Sequence, residues 1–410
     1  MLEESITIII STLTGEDALK YWLIPVISAF VGWGTNWLAI QLTLWPVEYV
    51  GKRPFGWQGV VPAHAGKMAS IIVSSVITKL STLYELFQAL EPDEMAAHVK
   101  IYADKYMEDV IDDAMIEYNQ LIWDNLPIFV KNRVYAYARK IAPELIDNAV
   151  LDVSENIEQL VDVKTMIVDL LTENKALMNR VILEVGSQEL KFIIRSGLYF
   201  GLPFGVIQML VWILNPEAWV LPLFGFMVGY ATNWLAINLL FRPLEPFYIG
   251  SYKLQGLFLK RQPEIAQGFC RLASQEVLTV GQLVTSMLHG PRKDKAKILI
   301  RKHLKPITEA TIFKAVTQFV LGPREYVTFK NEMEKRIVGL ADDVMQDEKF
   351  NEQRGKVLAV EFTERLKKLP PHDFQDLLRP AFQEDEWILI MIGAILGLSA
   401  GFGQLVFLFA

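Results

Sequence analysis

Four stretches of the chain, Tyr21–Leu44, Ser196–Leu214, Ala218–Phe241 and Trp387–Ala410, are apolar throughout and contain no charged side chain. Each is close to the ~20 residues a helix needs to cross a bilayer. In hydrocarbon the backbone N–H and C=O groups must be satisfied within the segment, so such stretches have to be helical. The competing explanation is a set of helical hairpins buried in a soluble core. Four such runs in matched positions are hard to bury that way. Trp22, Trp45, Trp212, Trp219 and Trp387 lie near the segment ends, where amphipathic rings favour the membrane–water interface. Asn215-Pro216-Glu217 joins the second and third stretches into a tight hairpin.

The positions are matched because the sequence repeats. Gly32-Trp33-Gly34-Thr35-Asn36-Trp37-Leu38-Ala39-Ile40 returns as Gly229-Tyr230-Ala231-Thr232-Asn233-Trp234-Leu235-Ala236-Ile237. Without gaps, Trp22–Glu48 and Trp219–Glu245 agree at 13 of 27 positions. A second pattern, G-L-x-x-G-x-x-Q, covers Gly201–Gln208 and Gly397–Gln404 at an offset of 196, and just upstream Glu189 and Glu386 stand at an offset of 197. Internal repeats outrank other signals in assigning architecture. The expected organisation is an N-terminal amphipathic stub (1–20) and two tandem units. The first unit (21–214) has membrane helices at 21–44 and 196–214 around a helical excursion, 45–195. The second (215–410) has them at 218–241 and 387–410 around the excursion 242–386. The fold class expected is all-α. Glu3 and Glu4 argue against a signal peptide, which needs positive charge there, so the stub reads as retained.

Orientation follows from Lys and Arg. Lys52, Arg53 and Lys67 follow the first stretch, and Lys191 and Arg195 precede the second. Arg242, Lys253, Lys260 and Arg261 follow the third, and Arg379 precedes the fourth. The other ends carry Lys20 among Glu3, Glu4, Glu16, Asp17 and Glu217. The positive-inside rule then places both excursions in the cytoplasm and both termini outside. The two units run parallel, related by an axis along the membrane normal rather than inverted.

Each first helix is followed by a turn rich in Pro, Gly and aromatic residues, 46–62 and 243–263, with Gln58-Gly59 matching Gln255-Gly256. A short strand pair is possible at Phe247–Leu257. The excursions carry the 3.6-residue apolar period of helices, at Lys67–Leu90 and from Pro92 to about Asn125. Pro127 and Pro143 are expected to punctuate further helices. In the second excursion the stretches are Ile265–Leu288, Lys295–Leu321, Glu325–Met345 and Asn351–Leu369.

The chemistry is sparse. The net charge of −7 gives no electrostatic reason to expect nucleic acid. Cys270 is the only cysteine, which excludes an intrachain disulfide and a Cys-based zinc site. There is no nucleophile elbow, phosphate loop, zinc-protease motif or dinucleotide fingerprint. The five histidines show no pairing at ligand spacing on an evident helix face. The expectation is therefore no enzyme, no catalytic residues, no metal and no cofactor.

Polar residues within the apolar stretches are the site candidates, because they are costly facing lipid. Thr35, Asn36, Thr232 and Asn233 form one group. At ~1.5 Å per residue Asn36 lies roughly 20 Å below Trp22, and Asn233 lies at equal depth. Asn36 and Asn233 are expected to face each other or a shared interior. Gln208 and Gln404 form an outer layer, each beside a helix-packing pair, Gly201/Gly205 and Gly397/Gly401. The bland reading is amide glue in a four-helix bundle; the sharper one is a substrate path. Outside the membrane, Arg292, Lys293, Lys295, Lys297, Arg301, Lys302 and Lys305 surround Ile298, Leu299, Ile300 and Leu304, with Asp294 the one acid. This is a basic amphipathic helix, either a solvated face or a contact for anionic lipid or an acidic partner.

The G-x-x-T-N-W-L-A-I…P signature, the L-Q-G turn at Leu254-Gln255-Gly256 and the G-L-x-x-G-x-x-Q closing helix together resemble the bacterial membrane family known as "domain of unknown function 445". The resemblance implies a bacterial cytoplasmic-membrane protein with large helical segments between its membrane ends. It carries no catalytic residues to transfer. The expected role is a membrane-anchored helical scaffold or adaptor, in contact with lipids and a protein partner. The alternative is a transporter or lipid-handling protein that uses the bundle. A scaffold predicts a tightly packed bundle; a transporter predicts a polar-lined cavity.

Overall fold

The computed structural model describes residues 2–15, 18–52, 55–250, 252–321, 325–383 and 386–408. Glu16, Asp17 and Arg53, which enter the charge argument, lie outside these residues, as do the last two residues of the fourth apolar stretch. The principal helices in chain order are α1 (Ala18–Leu44), α2 (Pro92–Asp124), α3 (Ile128–Leu160), α4 (Ser187–Leu214), α5 (Val220–Phe241), α6 (Val280–His289), α7 (Lys293–Thr308), α8 (Glu325–Met345) and α9 (Glu386–Leu408). The fold is all-α apart from a hairpin of β1 (Phe247–Ile249) and β2 (Tyr252–Leu254). That hairpin sits in the second Pro-rich turn. Among the described residues the first turn has an isolated bridge, Val50 with Trp57.

Helices α1, α4, α5 and α9 are long and apolar enough to cross a membrane, with mean hydropathies of 1.5, 1.8, 1.5 and 2.0. Helix α4 starts nine residues before the apolar stretch, because Glu189, Lys191 and Arg195 continue the helical turn outside it. Pro25 and Pro203 lie inside α1 and α4. Membrane helices tolerate such prolines when neighbours re-satisfy the freed backbone.

Several helix ends differ from expectation. Lys67–Leu90 is two helices, Ala65–Lys79 and Leu83–Ala89. The Thr82 hydroxyl accepts from the Glu85 N–H at 3.2 Å, and this N-cap starts a new helix where periodicity alone continues the old one. Lys295–Leu321 likewise divides at Glu309–Ala310, shortly after Pro306. Pro143, by contrast, punctuates nothing: α3 runs through it. It is exposed, so water can take the carbonyl bond that proline leaves unmade.

The chain forms two compact units. One comprises Met1–Ser75, Val168–Phe269 and Leu366–Ala410; the other comprises Val76–Ile167 and Cys270–Arg365. Each draws on both halves of the chain. In the first unit α1 packs along α4, α5 along α9, and α4 on α5. Its apolar core includes Ile24, Met209, Trp212, Ile213, Val220 and Leu221. Trp212 is thus a core residue, whereas Trp22, Trp219 and Trp387 are more than half exposed as interfacial rings should be. The second unit is an α-helical assembly in which α2 packs on α3, α7 on α3 and α8 on α2. Its core gathers Ile111, Met115, Trp123, Val134, Tyr135 and Met333.

Candidate functional site

Two places in the chain are distinctive: the glycine-lined helix contacts of the membrane bundle, and an open cavity in the second unit.

The bundle closes through glycine. A Cβ built on Gly32 would stand 2.5 Å from the Gly197 carbonyl oxygen of α4, and one on Gly201 would stand 2.7 Å from the Ser28 oxygen of α1. On Gly205 it would meet the Pro25 Cα at 2.7 Å. The second helix pair has the same contacts: Gly229 against Gly393, Gly225 against Gly397, and Gly401 against Leu221 and Pro222. Small residues let helix backbones touch where lipid offers no hydrophobic drive to association.

That approach decides what the asparagines do. Asn36 Nδ2 donates to the Ile193 carbonyl of α4 at 2.7 Å, and Asn233 Nδ2 to the Leu389 carbonyl of α9 at 2.9 Å. Both side chains are buried, away from lipid, but they do not pair with each other. With the backbones in contact, a carbonyl of the adjacent helix is nearer than the amide of the other pair. Thr35 and Thr232 bond back to Gly32 and Gly229 in their own helices. The outer layer does cross the bundle. Ser28 Oγ donates to Gln208 Oε1 at 2.7 Å, and Gln208 Nε2 to Gln404 Oε1 at 3.0 Å, linking α1, α4 and α9. In this arrangement the Asn36, Asn233 and Gln208 amide N–H groups are taken up by helix–helix bonds, while the buried Asn36 Oδ1 has no hydrogen-bond partner. Cysteine at position 36 or 208 is therefore expected to stay unlabelled by a membrane-impermeant maleimide in opened vesicles, while cysteine at exposed position 121 reacts. Burial pushes the one native thiol, Cys270, up to about 11, so its background is low. Labelling at both membrane positions would mean a water-filled path.

The repeat pointed at Glu189 and Glu386 without a role for either. Buried Glu189 meets Arg261 at 2.6 Å, and Glu386 meets Arg379 at 3.6 Å. Both arginines lie after or before the apolar stretches, so charge-counting assigns them to topology rather than to pairing. The matched turns also repeat their bonds. Gly59 N–H donates to Pro46 C=O and Gly256 N–H to Pro243 C=O, each at 2.9 Å. Gln58 and Gln255 side chains donate to Val47 and Leu244 at 2.7 and 3.1 Å.

In the second unit, a cavity of about 290 Å³ runs between α2, α3, α6, α7 and α8. Among its described lining residues only Tyr102 and His303 carry polar side-chain groups: the Tyr102 hydroxyl donates to Asp347 at 3.0 Å, and His303 Nε2 lies 2.8 Å from Asp152.

The basic helix is part of this wall. Leu299, Ile300, Leu304 and Ile307 of α7 face the cavity, while its cations point outward. Arg301 pairs with Glu334, Lys302 with Asp152, Lys297 with Asp294 at 4.0 Å, and Lys305 with Glu309 at 3.9 Å. Arg292 donates to the Val161 carbonyl at 3.0 Å and reaches Asp162. Lys293 and Lys295 are exposed. Hydrogen bonds from Lys302 and then His303 hold the Asp152 carboxyl below its usual range. Periodicity marks α7 as amphipathic; it does not say whether lipid or protein covers the apolar stripe. One pairing was also missed. His372, Asp373 and Asp376 bring ligand atoms within 4.8 Å of one another, because the helix Pro371–Gln383 begins directly at a Pro-Pro pair that resembles a loop. Their ligand set is solvent-facing, with His372 exposed.

Stretches of the chain resemble proteins described as UPF0754 membrane proteins. One from Exiguobacterium sibiricum is 33% identical over 119 residues, 28% of this chain and 31% of the relative. One from Staphylococcus haemolyticus is 26% identical over 128 residues, 30% of this chain and 34% of the relative. One from Picosynechococcus sp. is 35% identical over 81 residues, 18% and 20%. The chain is similar to an uncharacterised family of bacterial membrane proteins. The matches span about a third or less of these relatives' length. No family model matches the chain, and no solved structure does. With four apolar helices in the fold, it is a multi-pass membrane protein in contact with lipid.

Proposed function

We propose that this is a membrane-anchored helical scaffold without catalytic activity, whose bundle is an anchor and whose second unit meets a protein partner. In this reading both excursions lie on the cytoplasmic side of a bacterial inner membrane, as the Lys and Arg distribution favours. The two halves are copies of one unit, in keeping with the matched glycine and asparagine contacts.

The observation that carries the reading is an apolar knuckle where α2 turns into α3. Leu121, Ile128 and Phe129 are 78, 69 and 70% exposed there. Clustered exposed apolar side chains mark interaction surfaces. Asp124 stands beside them, and Lys131 lies over the Trp123 ring. A photoreactive residue at position 129 is expected to yield a discrete protein adduct in cells, and Leu121→Ser with Ile128→Ser to remove it. Adducts to lipid alone would count against the scaffold. The bundle's glycine contacts weigh against its use as a transport path.

A further inference from the structure

We propose that the cavity of the second unit binds one long, unbranched, anionic single-chain amphiphile, with its hydrocarbon inside and its head at the basic side of α7. This goes beyond the scaffold reading and stands or falls separately from it.

The dimensions argue for a single chain. Lining residues of α2 run from Met95 to Ile111, so the cavity follows that helix for roughly 24 Å. A volume of about 290 Å³ open to the centre of a water molecule, over that length, gives a path about 3.9 Å across, and the water's own diameter of about 2.8 Å widens the tube to about 6.7 Å. A tube that wide admits an extended hydrocarbon chain and excludes an α-helix, which is about 10–12 Å across. It is too narrow for a folded peptide segment.

The chemistry argues for hydrocarbon. A buried water needs ~2–4 polar partners. The Tyr102 hydroxyl and the His303 Nε2 are committed to Asp347 and Asp152. The volume sits at the low end of the ~300–1,000 Å³ typical of ligand sites. Five lining methionines on α2, α6 and α8, Met95, Met107, Met287, Met333 and Met345, are adaptable enough to close on a chain.

Charge selects the head. The wall helix α7 carries Arg301, Lys302 and Lys305 on its outer face, with side chains 60, 66 and 67% exposed. Lys302 adjoins His303, the one ionisable residue of α7 that also lines the cavity. Lys302 is held there by Asp152, and a carboxylate or phosphate head can share that cation. A fatty acid and a lysophospholipid both supply this chemistry.

The test uses the full chain extracted into polymer-bounded lipid discs, because a detergent would itself compete. Radiolabelled hexadecanoate is the first probe, with empty discs subtracted; hexadecanol, octanoate and 1-hexadecanoyl lysophosphatidate are the comparisons. Expected is saturable binding of one hexadecanoate per chain, at least tenfold tighter than octanoate or hexadecanol. Tighter binding of the lysophosphatidate would assign the lipid source, and tighter binding of hexadecanoate the free acid. Ala103→Leu and Ala149→Leu, which each fill the tube, should lower affinity at least tenfold while keeping the helical signal. Lys302→Gln should weaken the acid and spare the alcohol. Absence of saturable binding above empty discs overturns the proposal, as does binding unaffected by chain length. If neither filled variant folds, the 8-, 12- and 16-carbon series on the unaltered chain decides. Loss of the position-129 adduct with binding intact would sink the scaffold and leave this site standing.

Discussion

Gly32→Leu is expected to abolish recovery of folded protein from the membrane, while Gly34→Leu, two residues away, leaves yield and melting temperature unchanged. A Cβ at position 32 would sit 2.5 Å from the Gly197 carbonyl oxygen and 3.1 Å from its carbon, both backbone atoms of α4. Neither can move without separating the helices. Separation would also stretch the Asn36–Ile193 and Ser28–Gln208 bonds. Overpacking a core usually costs ~1–3 kcal/mol, occasionally more. Here the obstacle is main chain along a whole crossing, so the loss should exceed that range. At Gly34 a Cβ meets nothing within 4 Å. The same contrast is expected between Gly229→Leu and Gly403→Leu, the latter also open. Size-exclusion profiles of fluorescent fusions would read all four. Equal behaviour of positions 32 and 34 would remove the glycine seam as the basis of assembly.

The second large effect is expected at the buried ion pair. Arg261→Met leaves Glu189, 6% exposed, as an uncompensated charge. Breaking a buried pair on one side typically costs ~3–5 kcal/mol. Replacing both partners, Arg261→Met with Glu189→Met, removes the charge together with its need, and the double variant should recover most of the loss. Lost stability that persists in the double variant would show that the pair acts through packing alone. Melting curves in lipid discs measure this directly. Arg379→Met should do less, since Glu386 is more exposed and its ion pair is longer at 3.6 Å.

Much of the membrane unit is legible in sequence, because its constraint is local. Hydrocarbon forbids unpaired backbone groups, so an uncharged stretch of sufficient length names its own structure. Asn36, Asn233, Gln208 and Gln404 stand out for the same reason, being polar groups that lipid would penalise. Their partners are not legible. Asn36 bonds the backbone of α4 rather than Asn233, since any residue exposes the same carbonyl and sequence carries no mark of which one is nearest.

The second unit is harder to read. Helical periods are visible along Pro92–Asp124 and Ile128–Leu160, yet the break at Thr82 and the continuation through Pro143 depend on a single cap and on solvent exposure. The cavity has no sequence signature at all. Met95, Ala149, Leu299 and Met333 look like ordinary core residues, and a stripe that buries completely has the same pattern as one that leaves a tube.

Sequence alone determines four apolar helices, their repeated motif, a helical remainder and one strongly basic amphipathic segment. It does so because hydrophobic periodicity and glycine spacing act within a helix. Tertiary structure alone decides that glycines close the bundle, that its asparagines serve neighbouring backbones, and that α7 turns its apolar face onto a cavity. Those outcomes depend on how far apart helices come to rest, and that distance is set jointly by side chains remote in the chain.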